Sequence, residues 1–175
     1  MFEHMPLESP AVDNLIQAIN KAFSNVGGHL VKFSFANDAD LKETASKNEF
    51  YQDRFFDSLF KSAEFISVLP DLKPSAAFDD IRWNEVSAFT LAGQWAQALM
   101  YGGAVASFPG KGKEAKKLCE DVADFIFDER YEDIMAYRTD DAWSDWFHDV
   151  AWDYSWLVID KANSLAWVLV ITDTD

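Results

Sequence analysis

An α+β fold, in one domain with a central and mostly antiparallel sheet packed by about four main helices, is predicted by three observations. The chain has 175 residues, 49% apolar and 26% charged, with fifteen Phe, seven Trp and five Tyr. Such a composition excludes a disordered or fibrous chain, and the length suits one globular domain able to bury about two-thirds of its unfolded surface. Second, runs of helical period are interspersed with short runs of period two. Third, two apolar segments near the C-terminus flank a polar connection, the pattern of a β-hairpin.

The elements follow in order. Ser9-Pro10 reads as a helix start, with Ser as N-cap and Pro at the first helical position. Val12, Leu15, Ile16, Ile19, Phe23 and Val26 recur at helical spacing, and Gly27-Gly28 is read as the stop, giving a helix over 10–26. Residues 29–36 alternate from Val31 onward and predict a strand. Asp38 to Lys47 is polar and fits either a short surface helix or a loop. A stripe through Tyr51, Phe55, Phe56, Leu59, Phe60, Ala63 and Ile66 predicts a helix over 50–66, and Pro70 and Pro74 bound a connector.

Ala88, Leu91, Ala92, Trp95 and Leu99 predict a helix over 84–101 ended by Gly102-Gly103. A helix over 113–128 follows, with Ala115, Leu118, Cys119, Val122, Phe125 and Ile126 turned inward. Residues 131–138 suit a strand, and Thr139 suits the cap of a short helix reaching about Val150, with Asp140 and Asp141 in its first turn. The hairpin comprises 154–159 and 165–171 around a five-residue connection. Both faces of both strands are largely apolar. A two-stranded ribbon cannot bury two faces alone, so the hairpin should lie centrally, paired and covered on both sides.

Charge narrows the function. Fifteen Lys and Arg face thirty Asp and Glu, a net of −15. From Leu118 to Asp175 there are 15 acids and 3 bases, so this last third carries most of the field. An acidic surface repels nucleic acid and anionic membranes, whose binding relies on Lys and Arg releasing counterions from phosphate. The N-terminus has no basic stretch leading into an apolar run, and the longest apolar run, Leu165 to Ile171, is too short for a membrane helix. With a single Cys, this points to a cytoplasmic protein without a disulfide framework or a multi-Cys zinc site.

Several residues are candidates for chemistry. Asp141, Asp145 and Asp149 lie four apart, sharing one face of the expected helix, with His148 beside them. Asp145, His148 and Asp149 are the residue types of a divalent metal site, which would make the chain a metal-dependent hydrolase. The plainer reading is a solvated acidic face, with no metal or cofactor. A second acidic face, Glu120, Asp124 and Asp128, opposes the apolar stripe of the preceding helix. Trp143 and Trp146 are interleaved with the acids of the first face and suit interface anchors, although core packing is the commoner fate of such rings. Lys111 and Lys113 lie in the one basic cluster and are candidates for holding an anion at a helix N-terminus. The phosphate-loop pattern itself fails there, because Val105 stands where glycine is needed and Gly112 follows Lys111. Cys119 falls on an apolar stripe and reads as an inert thiol.

In size, acidity and Trp content the chain is similar to cytoplasmic inhibitors and immunity proteins that neutralise basic toxins. The reading drawn from these residues is a non-enzymatic acidic protein that engages a basic protein partner through Asp124, Asp128, Asp141, Trp143, Asp145, Trp146 and Asp149. Metal-dependent hydrolysis and self-association as a homo-oligomer are the alternatives.

Overall fold

The C-terminal hairpin lies at the centre of the sheet, where its two apolar faces require it to be. The computed structural model describes residues 1–46 and 52–175. Its strands are β1 (Glu3–Met5), β2 (Gly27–Ser34), β3 (Asn84–Val86), β4 (Ile134–Thr139), β5 (Tyr154–Asp160) and β6 (Leu165–Thr172). They form one six-stranded sheet of order β1-β2-β6-β5-β4-β3, with every neighbouring pair antiparallel. Helices α1 (Pro10–Ala22), α5 (Leu91–Tyr101) and α6 (Gly112–Phe127) cover one face. The other is covered by α2 (Ala39–Ser46), α3 (Gln52–Phe60), α4 (Ala63–Val68) and the loops around Trp83 and Trp143.

Period two divides the hairpin between two cores. Trp156, Val158, Trp167, Leu169 and Ile171 pack under α1, α5 and α6, whereas Leu157, Ile159, Ala166, Val168 and Val170 meet the opposite layer. Each of these ten side chains is at most 3% exposed. Burying a side chain such as Leu, Val or Ile is worth about 1.5–3 kcal/mol, so the hairpin anchors both layers. The second core is mostly aromatic. Phe60 lies 4.9 Å from Trp143, 5.1 Å from Phe65 and 5.4 Å from Trp83, between ring centres.

Several boundaries differ from the sequence reading. Helix α1 stops at Ala22, before Gly27-Gly28. Gly27 adopts φ +107°, and a Cβ on Gly28 would lie 2.7 Å from the carbonyl oxygen of Val170. The two glycines thus open β2 against β6 and α1 and do not cap a helix. Strand β1, which the sequence reading lacks, pairs with the far end of β2. Of the helix expected over 50–66, Tyr51 and the start lie outside the described residues, and the rest divides at Lys61–Ser62. Ser62 caps α4, its hydroxyl accepting from Phe65 N–H.

The first turns of the helix expected over 84–101 are a strand. Trp83 is buried in one core and Val86 packs against the other, the opposite-face placement of an extended chain. Residues 84–86 pair with β4. A 3₁₀ turn, Ala88–Thr90, leads into α5. Likewise Tyr131–Asp133 is a 3₁₀ turn, and β4 begins at Ile134. The hairpin connection has four residues, because Asp160 pairs with Leu165. No helix is long and apolar enough to cross a membrane among the described residues.

Candidate protein-binding surface

The helix expected from Thr139 to Val150 does not form, and this changes the first acidic site. Residues 140–153 are an irregular crossing at the end of the sheet where β4 ends and β5 begins. Tertiary contacts override the local helical pattern. Trp143 is fully buried, with its indole N–H donating to Ser155 Oγ at 2.8 Å, and its carbonyl accepts from Ser75 N–H. Ser144 bridges to Pro74 and donates to the carbonyl of Asp71, and Asp149 adopts φ +55°. Trp143 is therefore a core residue and offers no surface to a partner.

Without a helix, Asp141, Asp145 and Asp149 do not share a helical face, although all three are exposed. Trp146 is half-buried, its ring 5.6 Å from the His29 imidazole. Burial holds the His29 pKa below its usual value, with the charge of Asp71 pulling the other way. Asp140 is held by Arg138 through two bonds of 2.8 and 2.9 Å. Asp145, His148 and Asp149 are not assembled into a ligand set. Among the described residues no group of three or more His, Cys, Asp or Glu is placed to hold a metal ion.

Part of the acidity of the last third is internal. Asp153, Asp160 and Asp173 are each at most 1% exposed. Asp153 accepts from Val150 N–H and the Thr172 hydroxyl, and Asp173 from the N–H groups of Asn25 and Ala104. Asp160 accepts a bidentate pair from Arg130 at 2.8 and 2.9 Å and two more bonds from Asn163. Burial raises the Asp160 pKa, but the bonds from Arg130 and Asn163 outweigh it and leave the carboxyl below the usual range.

The second acidic face forms up to Asp124, and Asp128 follows α6 as its left-handed C-cap, at φ +45°. On α6, Lys116 pairs with Glu120 at 3.5 Å and Lys117 with Asp121 at 2.8 Å, which offsets the like-charge repulsion in the middle of the helix. Past them, Asp124, Asp128 and Glu129 are exposed, and no ion pair is recorded for them among the described residues. Phe125, expected inward, is 42% exposed. Its ring and that of Trp167 meet nearly at right angles, 5.8 Å apart between centres, and the rest of its surface is open to solvent. At the other end of α6, Lys111 and Lys113 are exposed. There the Glu114 carboxylate already accepts the Lys111 N–H, at the place an incoming anion would take.

The two acidic regions are separate. Trp143, Trp146 and Phe147 place the first part of the 140–153 crossing, with Asp141, Asp145 and Asp149, on the layer opposite α6, and only at Trp152 does the crossing reach the core on the α6 side. The C-terminal end of α6 leads through Tyr131 to the start of β4, whereas the crossing leaves from its end. The sequence carries a signal for the second region: Phe125 stands close in the chain to Asp121, Asp124, Asp128 and Glu129. Phe89, 73% exposed, and Tyr131 form a further aromatic feature that sequence reasoning missed. Their rings stack at 4.7 Å with 7° between planes.

The molecule thus belongs to the α+β class, with an antiparallel sheet between two helical layers and an acidic exterior. No family model matches the chain, and no curated protein matches it. A crystal structure of citrus MAF1 is similar in fold, with a TM-score of 0.51 and 14% identity over 95% of this chain and 99% of that one. At that identity the likeness concerns the fold alone.

Proposed function

We propose that this chain is an acidic binding protein that engages a basic protein partner through the C-terminal end of α6. The observation that supports the reading is Phe125, an exposed aromatic ring near the C-terminal end of α6, where Asp124, Asp128 and Glu129, close to it in the chain, are exposed as well. Acids of one sign speed encounter with an opposite surface, and an aromatic side chain that becomes fully buried on docking then slows release. Relative to the sequence reading, Asp124 and Asp128 keep their role and Phe125 takes that of Trp143. Asp141, Asp145, Trp146 and Asp149 form a separate and lesser acidic region.

The test is affinity capture with the full chain, followed by identification of the retained protein and binding measurements on the purified pair. The reading expects a partner with a basic surface. It also expects weaker binding by Phe125→Ser and by Asp124→Lys with Asp128→Lys, and unchanged binding by Asp145→Lys with Asp149→Lys. An acidic partner, or one indifferent to the α6 substitutions, overturns it.

A further inference from the structure

The edge of the sheet at β3 and β4 carries a groove of about 510 Å³, walled by Glu85, Val86, Phe89, Tyr131, Ile134 and Met135. Its origin is a mismatch in strand length. Strand β3 has three residues and ends at Val86 opposite Ala136, whereas β4 begins two residues earlier, at Ile134. Ile134 and Met135 pair with Asp160 and Ile159 of β5 on one side. On the other side the chain leaves at Ser87 for the 3₁₀ turn Ala88–Thr90, which lies near β4, and among the described residues no strand pairs with them there. Successive residues of an antiparallel strand point their N–H and C=O groups to alternate sides, so one of this pair points its backbone groups toward the groove. Strand β3 is itself the outermost strand, with no further strand beyond it among the described residues.

The chemistry of the walls selects the occupant. Glu85 is exposed and is the one charged residue lining the groove among the described residues. Glu132 and Asp133 follow Tyr131 in the chain, and the neighbouring base, Arg130, is held by Asp160. Phe89 and Tyr131 stack to form an aromatic platform that is open to solvent on the Phe89 side. A carboxylate beside an aromatic face suits a guanidinium, which stacks flat while donating hydrogen bonds at its edge. An open strand edge suits extended backbone.

We infer that this groove binds an extended, arginine-containing segment of a basic protein, adding it to the sheet edge with an arginine between Glu85 and the Phe89–Tyr131 stack. The inference rests on the proposed function for the class of partner, and it assigns that partner a second contact apart from α6.

The experiment is an NMR titration of the ¹⁵N-labelled full chain with a blocked peptide alternating arginine and valine. A peptide alternating glutamate and valine serves as control. The inference expects saturable shifts centred on the amides of residues 85–89 and 134–136 with the arginine peptide only. It also expects an affinity loss of about tenfold or more, the equivalent of about 1.4 kcal/mol, for Phe89→Ser combined with Glu85→Gln. Both side chains are exposed, so an unchanged spectrum of the free variant verifies its fold. Shifts centred on α6 around Phe125 overturn the groove and leave the basic-partner reading standing. Absence of saturable shifts, equal binding of the glutamate peptide, or indifference to the double substitution each overturns the groove. The basic-partner reading is decided separately, by the captured protein and the α6 variants.

Discussion

Trp143→Ala is the substitution that most sharply separates a core residue from an interface anchor. The ring is fully buried and lies 4.9 Å from Phe60, 5.2 Å from Phe147 and 5.9 Å from Phe78, with its N–H bonded to Ser155. Truncating a buried Trp to Ala costs about 3–5 kcal/mol. The Ser155 hydroxyl, 1% exposed, loses its donor, which adds about 1–3 kcal/mol. The expected loss is therefore about 4–8 kcal/mol, a large share of the stability of a typical domain. In a chain of this size, at about 2–4 °C per kcal/mol, that lowers the melting temperature by about 8–32 °C. The assay is urea and thermal unfolding followed by circular dichroism. Comparing two smaller truncations isolates the hydrogen bond. Trp143→Phe removes it, while Trp167→Phe removes an indole N–H that has no partner among the described residues. The first should cost about 1–3 kcal/mol more than the second. A Trp143→Ala protein within about 1 kcal/mol of wild type would refute the buried placement of this ring, since typical exposed substitutions fall in that range.

Two further perturbations probe buried groups. Asp160→Ala should cost about 2–4 kcal/mol near neutral pH, because it strips Arg130 and Asn163 of their shared acceptor. Asp160 titrates lower in the folded state than the value near 3.9 of an unfolded chain. Its contribution is thus fully present above that value and is lost as pH falls through the folded-state pKa. Unfolding free energies of wild type and variant should converge on acidification, and a gap that widens would contradict this. Burial, reinforced by Glu120, pushes the Cys119 thiol up to about 12. In the native protein it should resist disulfide reagents at mildly alkaline pH and react on unfolding. Prompt labelling of the native thiol would contradict its burial.

The central architecture was legible because burial on two faces leaves a simple mark. The unbroken apolar runs of β5 and β6 dictate a central hairpin, and the stripes of α1 and α6 dictate helices. What misled was local pattern where tertiary contacts decide. Residues 84–86 extend a helical stripe in sequence, but pairing with β4 draws them into a strand. Asp141, Asp145 and Asp149 have helical spacing, but Trp143 and Phe147 are drawn into the aromatic core, and Ser144 bridges to Pro74. Burial reversed two aromatic assignments. Trp143 disappears into the core, and Phe125 emerges because it lies at the margin of the α6 stripe, over Trp167. The groove at Phe89 was invisible, since it depends on two strands of unequal length that lie far apart in the chain.

The proposed function rests on acidic steering at α6, and the association rate constant with the purified basic partner, measured across a range of salt concentrations, tests it most directly. The account predicts that Asp124→Lys with Asp128→Lys slows association strongly at low salt. The rates of variant and wild type should then converge as screening shortens the reach of exposed charges to about 8 Å at physiological ionic strength and less above it. Association equally fast for both proteins at every salt concentration would contradict it.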